Sequence, residues 1–81
     1  MSEPIVVAEL PKNARERLRV ALTEYNGHRL CDVRTFYQDR TGEWRPGKGI
    51  SVRRALLPEL RKALLAAERA DRDQDRPSEP Q

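Results

Sequence analysis

Only one cysteine and one histidine occur in this sequence of 81 residues, and that scarcity removes most enzyme chemistry at once. A structural zinc site takes about four such ligands, and a disulfide takes two cysteines, so no metal, other cofactor or internal cross-link is expected. No carboxylate pair stands on a recognisable scaffold and no nucleophile has a base spaced beside it, so no enzyme is expected. Cys31 lies in an apolar alternation and reads as packing rather than as a reactive thiol. Long apolar runs are missing too. Nothing approaches the ~20 residues of a membrane span, and the first residues lack the charged-then-apolar order of a signal peptide. The expected location is the cytoplasm, or the nucleus if the source is eukaryotic, with no membrane partner.

With 37% hydrophobic residues, the chain suffices for one domain and not for two. So small a domain buries a modest fraction of its surface, and pairing with a second copy is a usual remedy. What the sequence does hold is positive charge, unevenly spread. Residues 11–54 carry eleven Lys and Arg against five Asp and Glu, while the segments on either side are net acidic. A basic middle of this kind suits a polyanionic partner better than the net charge of +3 suggests.

The segment 15–25 alternates strictly. Leu18, Val20 and Leu22 point one way, and Arg17, Arg19, Ala21, Thr23 and Tyr25 the other, which predicts a half-buried strand. Asn26-Gly27 follows, the pair favoured in a type I′ turn because both central positions take positive φ. The return strand covers 28–37, with Cys31 and Val33 alternating with Asp32 and Arg34. A turn at 38–42 leads to a short strand, Glu43-Trp44-Arg45. Pro46-Gly47-Lys48-Gly49 breaks it before another short one, Ile50-Ser51-Val52. Ahead of these, Ile5-Val6-Val7-Ala8 can be either an edge strand or a loosely tied arm. From Arg54 the period changes: Leu57, Leu60, Leu64 and Ala67 mark one stripe of an amphipathic helix running to about Ala70. Pro58 falls in its first turn, where a missing N–H costs little. The expected fold is α+β: a four-stranded antiparallel meander followed by one helix, whose stripe covers Leu18, Val20, Leu22, Cys31 and Val33. Residues 1–14 form a partly ordered arm, 15–70 the domain, and 71–81 a polar tail expected to be disordered.

Several short motifs recur here in a definite order: Asp32-Val33-Arg34, Phe36-Tyr37, Asp39-Arg40-Thr41-Gly42, Arg45-Pro46-Gly47 and Lys48-Gly49-Ile50-Ser51. Set between an Asn-Gly hairpin and a Leu-rich helix, they make residues 15–68 resemble the C-terminal domain of the transcriptional coactivator positive cofactor four. The resemblance implies a homodimer of strongly curved four-stranded sheets, each backed by a helix. It also implies binding of single-stranded DNA through stacked rings and backbone-contacting cations. Position by position, it implies stacking by Tyr25 and Tyr37, backbone contacts by Arg34, Arg45 and Lys48, and His28 in place of a family lysine. The chain departs from the family pattern twice. The loop 46–49 is one residue shorter, and Thr23 stands where a basic residue is expected, so that contact is either absent or supplied by Arg17 or Arg19.

The residues alone support part of this. Single strands are held by a positive groove lined with aromatic platforms, and stacking serves any base. Tyr25 shares its face with Arg17 and Arg19, which suits a surface platform; the alternative is a strand-end tyrosine capping the core. Alternation puts Tyr37 with Val33 and Cys31, toward the helix, unless a bulge near 35–37 re-aims it. Trp44 fits the core or a dimer interface better than a platform. Arg34 has Asp32 or Glu24 as alternative partners, Lys48 is either a phosphate contact or a solvated loop residue, and Arg53 and Arg54 read as a solvated face. Residues 46–51 lack the spacing of a phosphate loop. The expected function is single-stranded DNA binding with low sequence specificity, nucleoid-associated in a bacterium, with transcription or replication machinery as further partners. Two readings stand beside it: single-stranded RNA binding, since no residue clearly reads the 2′-hydroxyl, and a dimer whose basic face meets an acidic protein.

Overall fold

Alternation builds the sheet and a change of period ends it. In the computed structural model, which describes residues 3–74, the strands are β1 (Ile5–Asn13), β2 (Glu16–Tyr25), β3 (His28–Gln38) and β4 (Trp44–Arg53). They pair antiparallel in chain order, so β1 and β4 are the edges. β2 and β3 pair without irregularity from Glu16 opposite Tyr37 to Tyr25 opposite His28. Asn26 (φ 50°) and Gly27 (φ 77°) make the turn between them, both left-handed as a type I′ hairpin requires.

One open alternative about the strands is decided and one expectation changes. The run Ile5–Ala8 belongs to an edge strand, paired with β2 from Ile5 opposite Leu22 onward. The segments around Trp44 and Ile50 are one strand rather than two. β4 runs through Pro46-Gly47-Lys48-Gly49, and its register steps from Arg34 opposite Gly49 to Phe36 opposite Pro46. The extra residue is absorbed as a bulge across from Thr35. Proline is tolerated because β4 is an edge, where a missing N–H can face away from the ladder. Pro11 occupies the other edge in the same way.

Side chains alternate across each strand, so the register sorts them into two faces. Leu18, Val20, Leu22, Cys31 and Val33 share one face; Arg17, Arg19, Tyr25, His28, Arg34 and Phe36 share the other. A 3₁₀ turn (Arg54–Leu56) leads into α1 (Leu57–Gln74). Arg54 departs from the solvated face expected of it. Its half-buried guanidinium donates to the carbonyls of Leu30 (3.3 Å) and Thr23 (3.1 Å), tying the start of the helix to the β2–β3 hairpin. The helix passes Ala70 and ends at Gln74, so Asp71–Gln74 are helical; the rest of the expected tail lies outside the described residues.

The helix stripe faces the apolar side of the sheet without closing on it. Leu57, Leu60 and Leu64 line an open apolar cleft of about 860 Å³ opposite Leu18, Val20, Cys31 and Val33. No residue of α1 is buried, and Leu64 is 62% exposed. Among the described residues the buried hydrophobic side chains are Ala21 and Cys31. No described helix is long and apolar enough to cross a membrane.

Candidate nucleic-acid interface

The outer face of the sheet, away from the helix, holds five of the eight expected residues. At the turn end, Tyr25 is 64% exposed, and His28 stands directly opposite it across the β2–β3 ladder. At the other end two arginines lie over rings. The Arg17 guanidinium is 4.3 Å from the centroid of Trp44, and that of Arg19 is 3.9 Å from Phe36. Register explains the stacks, because Arg17 is opposite Phe36 and Trp44 is opposite Gln38, which puts all of them on one face. Guanidinium over a ring is attracted by the ring quadrupole. Trp44 therefore stands outside the helix–sheet cleft rather than in the core. Across the β1–β2 ladder, Glu9 accepts from Arg19 Nε (3.0 Å), forms an ion pair with its Nη2 (2.9 Å) and reaches Arg17 Nη1 at 4.0 Å.

Arg34 lies in the middle of this face and is engaged on three sides. Its Nε and Nη2 donate to both oxygens of Asp32 (3.1 and 3.0 Å), and its Nη1 donates to the Gly47 carbonyl (2.9 Å). Ser51 Oγ also donates to Asp32 (3.0 Å). Of the two alternative partners, the one used is Asp32. The hydrogen bond and then the charge of Asp32 raise the Arg34 pKa above the ordinary arginine value. This arginine ties β3 to the bulge of β4.

Tyr37 and Arg45 sit directly opposite each other on the helix-side face. The bulge falls in β4 and not in β3, so Tyr37 keeps the face of Val33 and Cys31. It is nevertheless 42% exposed, because it stands clear of the cleft. Its ring lies against Gly47, where an added Cβ would sit 3.3 Å from Tyr37 Cδ1. Arg45 donates from Nε to Asp39 (2.5 Å) and from Nη2 to Glu43 (3.4 Å). Asp39 in turn accepts from Thr41 N (2.8 Å), Thr41 Oγ1 (2.6 Å) and Glu43 N (3.0 Å). The Thr41 hydroxyl, and next the Arg45 guanidinium, hold its carboxyl well below the usual carboxylate range. Arg45 is raised correspondingly by Asp39. Lys48, the last of the eight, is exposed in the bulge on the β4 edge, between the two faces, with no ion pair among the described residues. No group of three or more His, Cys, Asp or Glu among the described residues is placed to share a metal ion.

A family model described as Transcriptional Coactivator p15 (PC4) matches residues 12–63, the stretch that carries all eight of these side chains. The chain belongs to the PC4 family. A PC4 homologue from Burkholderia pseudomallei is 36% identical in two crystal forms. The orthorhombic form matches with a TM-score of 0.75 over 85% of this chain and 95% of that one. The tetragonal form gives 0.74 over 82% and 98%. A bacteriophage T5 homologue of the eukaryotic coactivator PC4, implicated in recombination-dependent DNA replication, shares the fold. Its identity is 19% and its TM-score 0.61, over 90% of this chain and 83% of that one. No curated protein sequence matches closely. The resemblance read from the motifs is thus a family membership, and the meander-plus-helix fold is the PC4 fold. Glu9, Phe36 and the Arg17–Trp44 stack are additions from the structure. For Phe36 the signal was present: a two-residue turn at Asn26-Gly27 already sets Phe36 opposite Arg17 and one ladder step from Arg19.

Proposed function

We propose that this PC4-family protein binds single-stranded DNA with little sequence preference, as a homodimer, in processes that melt duplex: transcription, replication or repair. The observation that carries the reading is the exposure of two tyrosine rings, Tyr25 at 64% and Tyr37 at 42%, at opposite ends of the β2–β3 hairpin. An exposed ring stacks on any base, since every base has a π-face, and nearby cations track the backbone. Because the rings lie on opposite faces, a strand gripped by both crosses the β4 edge, where Lys48 stands and Gly47 and Gly49 keep the surface low. Binding stabilises the separated strands by mass action, without a chemical step.

A second copy covering the open apolar cleft supplies the dimer, since exposed apolar surface of this kind marks an interface. Sedimentation at micromolar concentration is expected to give twice the 9.4 kDa chain mass, and a mass of one chain would exclude the dimer.

The phosphate contacts are tested by salt. Arg17 and Arg45 keep side-chain exposures of 47% and 55%, and Lys48 is exposed as well. Lys48 as a full contact at about −0.7, with Arg17 and Arg45 partly neutralised by their carboxylates, gives an expected slope of log K against log salt between about −0.7 and −2 for oligo-dT. A flat response would remove the backbone contacts from the proposal.

A further inference from the structure

We infer that Glu9 sets the affinity of the outer sheet face for the nucleic-acid backbone by holding the part of Arg19 that a phosphate would otherwise take. The inference rests on the single-strand binding proposed above. With the Arg19 guanidinium carbon over the Phe36 ring (3.9 Å), the ring covers one side of the group and Nε is left to donate to Glu9. Glu9, directly opposite on β1, accepts from Nε at 3.0 Å and has the same oxygen 2.9 Å from Nη2. A carboxylate and a phosphate are the two anions that match this fork of donors. The acid thus stands where a backbone phosphate would sit, and its other oxygen points at Arg17 Nη1, 4.0 Å away.

The other arginine–carboxylate pairs are built differently. Asp32 is 18% exposed and also bound by Ser51, and its Arg34 is fixed by the Gly47 carbonyl. Asp39 is 19% exposed and anchored by Thr41 and Glu43. Glu9 has no hydrogen-bond partner among the described residues other than Arg19, and the two side chains are 35% and 32% exposed. Exposed pairs of this kind are weakly held, so a phosphate can displace the acid without breaking the sheet. Glu9 also lies outside residues 12–63, the part matched by the PC4 family model, on the edge strand β1. Salt also screens the Glu9–Arg19 pair that a phosphate must displace, which offsets part of the salt dependence of the new contact. Arg19 therefore adds less to the salt dependence while Glu9 is present.

Anisotropy of labelled oligo-dT over a salt series, with wild type, Glu9→Gln, Arg19→Ala and the double variant, tests this. Glu9→Gln is expected to bind about two- to fivefold tighter at low salt, with a slope steeper by up to about 0.7 as Arg19 becomes a full contact. On the Arg19→Ala background the same substitution is expected to lose most of both effects, keeping only what the 4.0 Å contact of Glu9 with Arg17 supplies. Glu9→Ala, checked for folding by its thermal midpoint, should reproduce the gain. Equal affinity and slope for wild type and Glu9→Gln overturn the inference while the single-strand reading stands. A gain that persists undiminished without Arg19 overturns it too, since the effect would then be general charge. A wild-type chain that binds no oligo-dT removes the underlying reading itself.

Discussion

Gly49→Ala is expected to destabilise the fold by about 1–3 kcal/mol, the range for forcing an extra methyl into a packed site. A Cβ at this position would lie 2.6 Å from the Val33 carbonyl oxygen and 2.7 Å from Arg34 Cα and Cβ. Two of those neighbours are β3 backbone atoms, which cannot swing aside as a side-chain tip could. β4 would have to lift away from β3 at the bulge, and the Arg34–Gly47 hydrogen bond would be strained with it. Stability of small domains is on the order of 0.1 kcal/mol per residue, so the loss is a sizeable fraction of the total. Urea denaturation measures it as a lower midpoint at unchanged slope. Gly47→Ala makes a useful comparison. Its nearest neighbours are the Thr35 carbonyl at 3.1 Å and the exposed Tyr37 ring at 3.3 Å, so its stability loss is expected to be smaller and to come with a displaced ring. If Gly49→Ala unfolds at the wild-type midpoint, the close approach of β4 to β3 is wrong.

Tyr25→Ala is expected to weaken oligo-dT binding by ~1–3 kcal/mol, the range for one stacked base, which is about fivefold to 150-fold in Kd. The ring is 64% exposed, so its removal takes little packing with it and the thermal midpoint should barely move. Tyr25→Phe keeps the stacking face and should bind nearly as the wild type does. The pair of substitutions separates stacking from any hydrogen bond of the hydroxyl. Wild-type affinity in Tyr25→Ala would remove this ring from the interface and leave Tyr37 as the remaining platform.

The centre of the sheet was legible because two residues determine it. Asn26-Gly27 demands a two-residue hairpin, and the alternation on either side then assigns every side chain of β2 and β3 to a face. Tyr25, Arg17 and Arg19 fall together for that reason, and Tyr37 falls on the helix side. β4 was not legible. Pro46, Gly47 and Gly49 look like a break when judged by local propensity, but strand formation depends on the neighbouring strand, and β3 accepts this segment through a bulge. The helix was clear from its period, while the gap between its stripe and the sheet depends on what covers them, which no single chain encodes locally. Of the charges, Arg34–Asp32 lies two residues apart and was open to reading. Glu9–Arg19 was not, since the β1 register is shifted between Val6 and Ala8.

Displacement of labelled oligo-dT from the wild-type protein by unlabelled competitors tests the central claim most directly. Unlabelled single-stranded DNA is expected to displace it at concentrations well below those required of duplex DNA or heparin carrying the same charge. RNA displacing at lower concentration than DNA would reassign the ligand. Heparin or duplex competing as well as the single strand would show that charge alone holds the ligand, and would contradict a grip built on Tyr25 and Tyr37.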